Sequence, residues 1–285
     1  MNRHNFEIIE SHFSFGGTLQ FLRFNSKTLG VKTNFGLYLP PQAQDGHKVP
    51  VIYALAGLTS NYENFLVKAN ALRFAAKWGI ALVAPDTSPR DTNIKEENES
   101  SDLGTGAGFY LDATAEPWAH HYKMASFVGH ELPKILEENF PLDPALCGIM
   151  GHSMGGMGAL GFALRQPEKW KSVSAFAPIC LPSRTEWGQK VTAAYFGGNK
   201  QEWQHYDPCL LLKAGHSHPC KILVDQGLND EFLTILQPEA LEETARQVNQ
   251  PLTLRRHQNY DHSYWFVQSF IEEHIAHHAS ILTAL

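Results

Sequence analysis

Residues 146–165 read LCGIMGHSMGGMGALGFALR, and residues 151–155 within them fit the pattern G-x-S-x-G. In this pattern a serine sits on a strained turn between a strand and a helix, where its hydroxyl is exposed. Residues 146–150 form a short apolar run typical of a buried strand, and residues 156–165 are rich in the small apolar residues of a closely packed helix. The stretch therefore predicts a strand, a sharp turn and a helix, with Ser153 as the candidate nucleophile.

Apolar runs alternate with helical patterns along most of the chain. The predicted strands cover residues 49–56, 80–85, 146–150, 172–177, 222–225 and 252–256. The predicted helices lie near residues 61–78, 118–139, 156–165 and 238–248, and from about residue 263 onward. Continuous apolar strands between helices indicate a mainly parallel sheet with helices on both faces, while segments 19–24 and 35–39 alternate like antiparallel edge strands. This mixed sheet predicts the α/β class and the α/β-hydrolase fold.

The composition is that of a globular protein with a large core, because 43% of the 285 residues are hydrophobic and only 18% are charged. No internal repeat or low-complexity linker divides the chain, so residues 1–285 are predicted to form a single domain. The formal net charge is −6 and no basic stripe appears. Nucleic acids and anionic membranes are therefore not expected as partners.

The N-terminal segment lacks the apolar core of a signal peptide, and no apolar run has the length that crosses a bilayer. The cysteines Cys147, Cys180, Cys209 and Cys220 are scattered without C-x-x-C spacing. Three of them lie in or beside apolar runs, as buried free thiols of a reducing compartment do. We therefore expect a cytoplasmic protein.

A nucleophilic serine needs a base to take its proton and a carboxylate to orient that base. In α/β-hydrolases the chain order is serine, acid, histidine. His262 follows the last predicted strand and is the only histidine at a strand-to-helix junction after the acid. Two acids precede it: Asp225 ends a strand and is expected to bond the backbone amides of the Gly227 turn, whereas Asp230 lies in the following loop. A loop carboxylate can reach across to the histidine, which favours Asp230 modestly.

Six other histidines can be considered, and none of them is predicted to take part in catalysis or metal binding. His274, His277 and His278 fall on one helical turn, but no acidic or cysteine ligands accompany them, so a solvated helix face is predicted rather than a metal site. His216 and His218 are predicted to lie at the surface. The ring of His152 is expected to point away from the neighbouring serine hydroxyl. No metal or cofactor is expected.

Acyl transfer also requires two backbone N–H groups that bind the oxyanion. One comes from the residue after the serine, here Met154, and the other from the loop after the third strand of the fold. Leu58 is the natural second donor, since Gly57 before it permits close backbone approach. The segments 87–117 and 181–218, rich in Gly, Pro, Ser and Asn, are predicted to be loops that shape the pocket.

Several longer strings are unusual enough to point to a family. They are residues 37–41 (LYLPP), 57–59 (GLT), 63–65 (ENF), 85–90 (PDTSPR), 104–114 (GTGAGFYLDAT), 116–118 (EPW), 151–156 (GHSMGG), 225–227 (DQG) and 260–264 (YDHSY). Over nearly its whole length the chain resembles the S-formylglutathione hydrolases, or esterase D family. The resemblance implies a cytoplasmic serine thioesterase that splits S-formylglutathione into formate and glutathione in formaldehyde detoxification. It also implies side activity on short-chain esters, Asp230 as the catalytic acid, and a homodimer.

Two positions depart from the family pattern. Ser60 stands where the family often has a cysteine near the acyl pocket, so we expect only weak inactivation by thiol reagents. Asn25 replaces a common histidine outside the triad, and its effect is expected to be limited to local packing or substrate fit. Trp118 or Trp187 could narrow the pocket for the small formyl group, although large aromatic residues more often simply pack in cores.

Three other functions share parts of this pattern. A general short-chain carboxylesterase would use the same triad and is the main alternative. An acyltransferase would replace water by an acceptor alcohol. A non-catalytic binding protein of the same fold usually has a broken triad, whereas the serine, acid and histidine are all present here.

Overall fold

The computed structural model describes residues 6–284, and its strands belong to one mixed sheet. The strands are β1 (Glu7–Ser14), β2 (Gly17–Asn25), β3 (Lys32–Leu39), β4 (Val49–Leu55), β5 (Ala81–Pro85), β6 (Leu142–His152), β7 (Trp170–Phe176), β8 (Ile222–Gly227) and β9 (Leu252–His257). Their order is β1-β2-β3-β5-β4-β6-β7-β8-β9. The pairs from β1 to β5 in this order are antiparallel, and all the following pairs are parallel. The predicted α/β-hydrolase sheet is confirmed; residues 1–5 of the segment examined for a signal peptide lie outside the described residues.

The helices cover both faces of this sheet. The α-helices are α1 (Asn64–Lys68), α2 (Leu72–Trp78), α3 (Met124–Ser126), α4 (Leu132–Asn139), α5 (Met154–Arg165), α6 (Glu186–Ala194), α7 (Pro208–Lys213), α8 (Leu233–Leu236), α9 (Pro238–Gln247) and α10 (Tyr264–Leu282). Helix α5 packs against β6, β7 and α7, and α7 packs against α9, whereas α10 packs against β7 and α2. Across residues 6–284, no helix combines the length and apolar character needed to cross a membrane.

A single helix is predicted over residues 61–78 and another over residues 118–139, but the structure has two shorter α-helices in each segment, α1 and α2 in the first and α3 and α4 in the second. Asn70 has a left-handed φ of 57° and separates α1 from α2. Pro133 at the start of α4 has no N–H to donate to the carbonyl of Gly129, so the preceding turn widens into a π-helix. The Gly129 carbonyl instead accepts a hydrogen bond from Lys169 Nζ at 2.5 Å. Local backbone chemistry therefore overrides the helical periodicity at both places.

The prediction of a loop over residues 181–218 is wrong in part, because α6 and α7 lie within it. Both helices begin at side-chain caps. Thr185 Oγ1 accepts a hydrogen bond from the N–H of Gly188, and Asp207 Oδ1 accepts one from the N–H of Leu210. Such N-caps satisfy backbone donors that a helix otherwise leaves free, which starts a helix even in a Gly- and Pro-rich segment. Segment 87–117, which is described throughout, contains neither a helix nor a strand, as predicted.

The prediction that the histidines of α10 form a solvated face is wrong. His274 and His278 are fully buried and His277 is half-buried. The ring of His278 lies between the hydroxyls of Ser172 and Ser174, at 2.6 and 2.9 Å. The two buried histidines are four residues apart and so share the helix face that packs on the sheet. Polar partners on β7 satisfy both ring nitrogens of His278, and Asp225 on β8 is the partner of His274 Nε2.

The two histidines of the polar loop before β8 behave differently. His216 is exposed, as predicted. His218 is buried, and its Nε2 lies 2.7 Å from the carbonyl oxygen of Trp170. The expectation of a surface position is therefore wrong for His218, because the carbonyl group of Trp170, the first residue of β7, offers its ring a backbone partner.

Candidate active site

Ser153 lies on the turn between β6 and α5 with φ 59° and ψ −120°. A non-glycine residue pays about 1–3 kcal/mol for such a conformation, which persists only where the surroundings enforce it. The neighbouring glycines make the turn sterically feasible. A Cβ added at Gly151 would lie 2.1 Å from Gly155 O, and one added at Gly155 would lie 2.1 Å from Leu55 O. The backbone is therefore closely packed on both sides of Ser153, at Gly151 and at Gly155, and this packing enforces the conformation of the serine.

His262 and Asp230 meet across the carboxyl ends of the last two strands. Asp230 lies in the loop after β8 and His262 in the loop between β9 and α10. His262 Nδ1 is 2.7 Å from Asp230 Oδ2. Because the carboxylate only accepts hydrogen bonds, Nδ1 carries the proton and Nε2 remains free to act as a base.

Two further donors fix the Asp230 carboxylate. Gln226 Nε2 donates to Oδ2 at 3.0 Å, and the N–H of Phe232 donates to Oδ1 at 2.8 Å. The Asp230 side chain is fully buried, so these bonds replace the water that the charge would otherwise hold. The sequence nominated Asp230 as the candidate acid but did not single out Gln226, whose position at the end of a buried strand gave only a weak signal.

Ser153 and His262 line the same cavity, which has a volume of about 450 Å³. Other lining residues are Leu58, Ser60, Trp187 and Phe232. The cavity is within the range of small-molecule sites in proteins. The rings of Trp187 and Phe232 are 5.5 Å apart, and Phe232 also contacts the His262 ring at 5.0 Å. Trp187 is therefore placed to narrow the cavity.

Trp118 is not among the residues lining this cavity. It is buried and packs edge-on against Tyr122 and Tyr195, with ring centroids 4.8 and 5.1 Å away. Its role is core packing. Asn25 is exposed at the end of β2 and also does not line the cavity.

The backbone N–H groups of Leu58 and Met154 are the candidate oxyanion donors. Met154 is the first residue of α5, where the helix dipole favours negative charge. Gly57 brings the Leu58 loop close to Ser153, the candidate nucleophile, since a Cβ at Gly57 would lie 3.1 Å from Ser153 Cβ. Among the described residues, neither N–H has a hydrogen-bond acceptor. Both donors are thus available to a ligand oxygen.

His152 packs against the candidate base. Its ring centroid is 4.6 Å from that of His262 and 5.4 Å from that of Tyr264. In the part of the chain that the structure describes, its Nε2 has no partner and no hydrogen bond joins it to Ser153. Burial, followed by the neighbouring His262, holds the pKa of His152 well below its usual value. His152 is therefore neutral at pH 7 and supports the His262 ring by packing, a contact that the sequence did not reveal.

Asp225, the second candidate acid, has different partners from those expected. It accepts two hydrogen bonds of 2.6 Å from Arg255 and lies 3.2 Å from His274 Nε2, rather than bonding the amides of the Gly227 turn. Burial raises the pKa of Asp225, but the hydrogen bonds from His274 and Arg255 outweigh it and hold that pKa well below its usual value. Asp225 therefore joins β8 to β9 and α10.

We expect Asp225→Asn to lower the free energy of unfolding by about 2–3 kcal/mol at pH 7, because Arg255 loses a charged partner at a largely buried site. The depressed pKa of Asp225 makes this contribution complete above the carboxyl's unfolded pKa of about 4 and lost as pH falls below it. Urea unfolding of wild type and variant between pH 3 and pH 8 measures the difference. A gap that grows as pH falls would contradict this account.

All four cysteines are free thiols, and three of them are buried. Burial raises the pKa values of Cys147 and Cys209 to about 12 and that of Cys180 well above its usual value, so these thiols stay protonated at pH 7. Cys220 is half-buried immediately before β8, at the amino end of the strand, whereas the cavity lies beyond the carboxyl ends. Ser60 occupies the cavity wall, so no thiol among the described residues lines it.

We therefore expect N-ethylmaleimide to inactivate the wild-type enzyme slowly. Ser60→Cys should raise the inactivation rate by about tenfold or more, because it places a thiol in the cavity beside Tyr264. The measurement is residual esterase activity against time at fixed reagent concentration, with Ser60→Ala as the matched variant without a thiol. Rapid inactivation of the wild type at low reagent concentration would contradict the expectation.

Residues 6–284 contain no group of three or more His, Cys, Asp or Glu side chains placed to hold a metal ion.

Comparison with known proteins agrees with this arrangement. Residues 26–277 match the model of the Esterase family, described as "Putative esterase". The chain is 48% identical to the S-formylglutathione hydrolase of Paracoccus denitrificans over 97% of this chain and 98% of that protein. It is 51% identical to the S-formylglutathione hydrolase of Arabidopsis thaliana over 90% of this chain and 91% of that protein.

A solved structure gives the same result in three dimensions. An S-formylglutathione hydrolase from Agrobacterium tumefaciens is 42% identical and superposes with a TM-score of 0.94, covering 97% of this chain and 99% of that one. Sequence and fold thus agree over almost the full length. The chain belongs to the Esterase family and, within it, to the S-formylglutathione hydrolase (esterase D) family.

Proposed function

We propose that this chain is a serine thioesterase that hydrolyses S-formylglutathione to formate and glutathione, in formaldehyde detoxification, with side activity on short-chain esters. The observation that carries the proposal is the identity of 48–51% to enzymes of that name over at least 90% of the chain. Ser153 and His262 line one cavity, and Asp230 lies behind His262 with Oδ2 2.7 Å from Nδ1; together they supply the groups that such an enzyme needs.

In the first half-reaction, Ser153 Oγ attacks the formyl carbon while His262 Nε2 takes its proton. The carbonyl oxygen becomes an oxyanion that accepts hydrogen bonds from the N–H groups of Leu58 and Met154. The C–S bond then breaks, and the glutathione sulfur leaves with the proton from His262. Asp230 keeps His262 in the required tautomer and stabilises its charged form.

In the second half-reaction, water gives a proton to His262 Nε2 and attacks the formyl carbon of the ester on Ser153. The same two N–H groups bind the second oxyanion. When the C–O bond to Ser153 breaks, the serine oxygen regains its proton from His262 and formate is released. Formyl is the smallest acyl group, which agrees with a cavity that Trp187 and Phe232 narrow.

The proposal is tested by comparing kcat/KM for S-formylglutathione with kcat/KM for 4-nitrophenyl acetate. We expect the thioester to be preferred by at least about tenfold, because the glutathione moiety adds binding that the small ester cannot make. A preference for the ester by orders of magnitude would favour the general short-chain carboxylesterase instead.

The cytoplasmic location and the homodimer belong to the same proposal. Free thiols at all four cysteines support a reducing compartment. Light scattering coupled to size exclusion measures the mass in solution, for which about twice the 31.9 kDa of one chain is expected.

A further inference from the structure

Lys68 and Asp102 are the charged side chains that line the catalytic cavity. Asp102 is already paired, because it accepts hydrogen bonds from Lys190 Nζ and from Ser100 Oγ. Lys68 has no carboxylate within ion-pair distance among residues 6–284. The cavity therefore presents one uncompensated positive charge to a ligand.

Lys68 lies where the catalytic cavity meets a second one. It is the last residue of α1, it is exposed, and its Nζ is 5.9 Å from the centre of the Tyr264 ring. Lys68 and Tyr264 line both the catalytic cavity and an adjoining cavity of about 630 Å³. The adjoining cavity is also lined by Val67 and Trp265, whose exposed fractions are 61% and 74%.

A groove thus leads from Ser153 past an ammonium group to an exposed apolar surface. Isolated exposed apolar residues are common, but here two of them adjoin the catalytic cavity and the unpaired cation. This combination fits a ligand that is reactive at one end and carries both methylene groups and a carboxylate beyond it. Glutathione has two carboxylates and one ammonium, and its thioester has the reactive carbon.

We propose that Lys68 binds a carboxylate of the glutathione moiety and thereby selects S-formylglutathione over neutral esters. The inference rests on the proposed function, since it assigns one of its substrate contacts. With the formyl carbon at Ser153, the glutathione chain passes the Tyr264 ring, pairs with Lys68 Nζ, and lays its methylene groups on Val67 and Trp265.

Because Lys68 is exposed, removing its charge should lower the activity on the thioester only moderately. An exposed ion pair is weaker than a buried one, because water screens both charges. The expected loss on removing the charge is about fivefold to tenfold in kcat/KM for the thioester, expressed mainly in KM. A neutral ester has no carboxylate to lose, so the ratio of thioester to ester activity is the discriminating quantity.

The test compares Lys68→Met, Lys68→Arg and Lys68→Glu with wild type. Methionine keeps the length and apolar stem without the charge, arginine keeps the charge, and glutamate reverses it. Lys213→Met is the matched control, because Lys213 also ends a short helix and is exposed but lines neither cavity. Each variant is assayed with S-formylglutathione and with 4-nitrophenyl acetate at low and high ionic strength.

We expect the thioester-to-ester ratio to fall about fivefold to tenfold in Lys68→Met, to fall further in Lys68→Glu, and to stay close to wild type in Lys68→Arg and Lys213→Met. Salt should lower the wild-type ratio and affect that of Lys68→Met less. An unchanged ratio in Lys68→Met and Lys68→Glu would overturn the role of Lys68 while leaving the proposed function intact. A wild-type chain inactive on S-formylglutathione but active on the ester would overturn the proposed function, and this inference with it.

Discussion

Ser153→Ala is expected to lower kcat for S-formylglutathione by about 10⁴-fold or more, because the variant has no nucleophile to form the acyl-enzyme. The N–H groups of Leu58 and Met154 remain, so a small residual rate above the uncatalysed reaction should persist. The measurement is thioester loss at saturating substrate. A serine-directed phosphonate, followed by intact mass, should label the wild type at one site and leave the variant unlabelled. Full activity in the variant would refute the assignment of Ser153.

The strained backbone at position 153 makes it possible to distinguish a loss of catalysis from a loss of stability. Alanine at position 153 meets the same φ of 59° as serine, so the free energy of unfolding should change little. Ser153→Gly removes the nucleophile too, but a glycine adopts positive φ without strain and should be more stable than Ser153→Ala by about 1 kcal/mol. If both variants are equally inactive while Ser153→Gly is the more stable, the loss of activity is due to the missing hydroxyl group and not to unfolding.

The sequence predicted the elements that local chemistry dictates. The strand and helix around Ser153 are present as β6 and α5. The backbone of the turn between them is so closely packed that it has no room for a Cβ at Gly151 or Gly155, and these glycines made the turn recognisable in the sequence. The antiparallel edge was also predicted, since β2 and β3 alternate in burial over part of their length. Helix interruptions were missed at Asn70 and Pro133, where single residues decide the backbone against a longer helical periodicity.

The site shows the same division. Chain order and position after a strand were enough to nominate Asp230 and His262, which the structure places 2.7 Å apart. The polar character of His274 and His278 pointed to solvent, yet their partners Asp225, Ser172 and Ser174 come from β7 and β8. A polar side chain can be buried only where it has a hydrogen-bond partner, and here the partners are distant in the sequence, so the burial could not be predicted from the sequence. The single-domain organisation and the roles of the site residues stay predictions.

Asp230→Asn is the second change with a large expected effect, a fall in kcat of about 10⁴-fold with the fold intact. Phe232 N–H donates to Oδ1 of Asp230, so the oxygen of the new amide stays there and its NH₂ takes the position of Oδ2. That NH₂ faces His262 Nδ1 and Gln226 Nε2, which are both donors in the wild type.

The clash between donors has two consequences. His262 must change tautomer so that Nδ1 accepts, which puts the proton on Nε2 and removes the base that serves Ser153. Gln226 can turn its amide to offer Oε1, which is buried without a partner among the described residues, but its Nε2 then loses the Gly227 carbonyl. The fold therefore tolerates the change at a modest cost of about 1 kcal/mol.

Asp225→Asn is the matched control, since it makes the same chemical change at the other acid of the same strand and loop. Both variants are assayed for kcat at 20 °C and for unfolding in urea. Asp230→Asn should lose activity far more than stability, and Asp225→Asn should lose stability while keeping kcat within about threefold, because Asp225 contacts Arg255 and His274 and not His262. The reverse pattern would make Asp225 the acid. Since the two carboxylates lie five residues apart in the sequence, only their partners in the folded chain distinguish orienting the base from joining the strands.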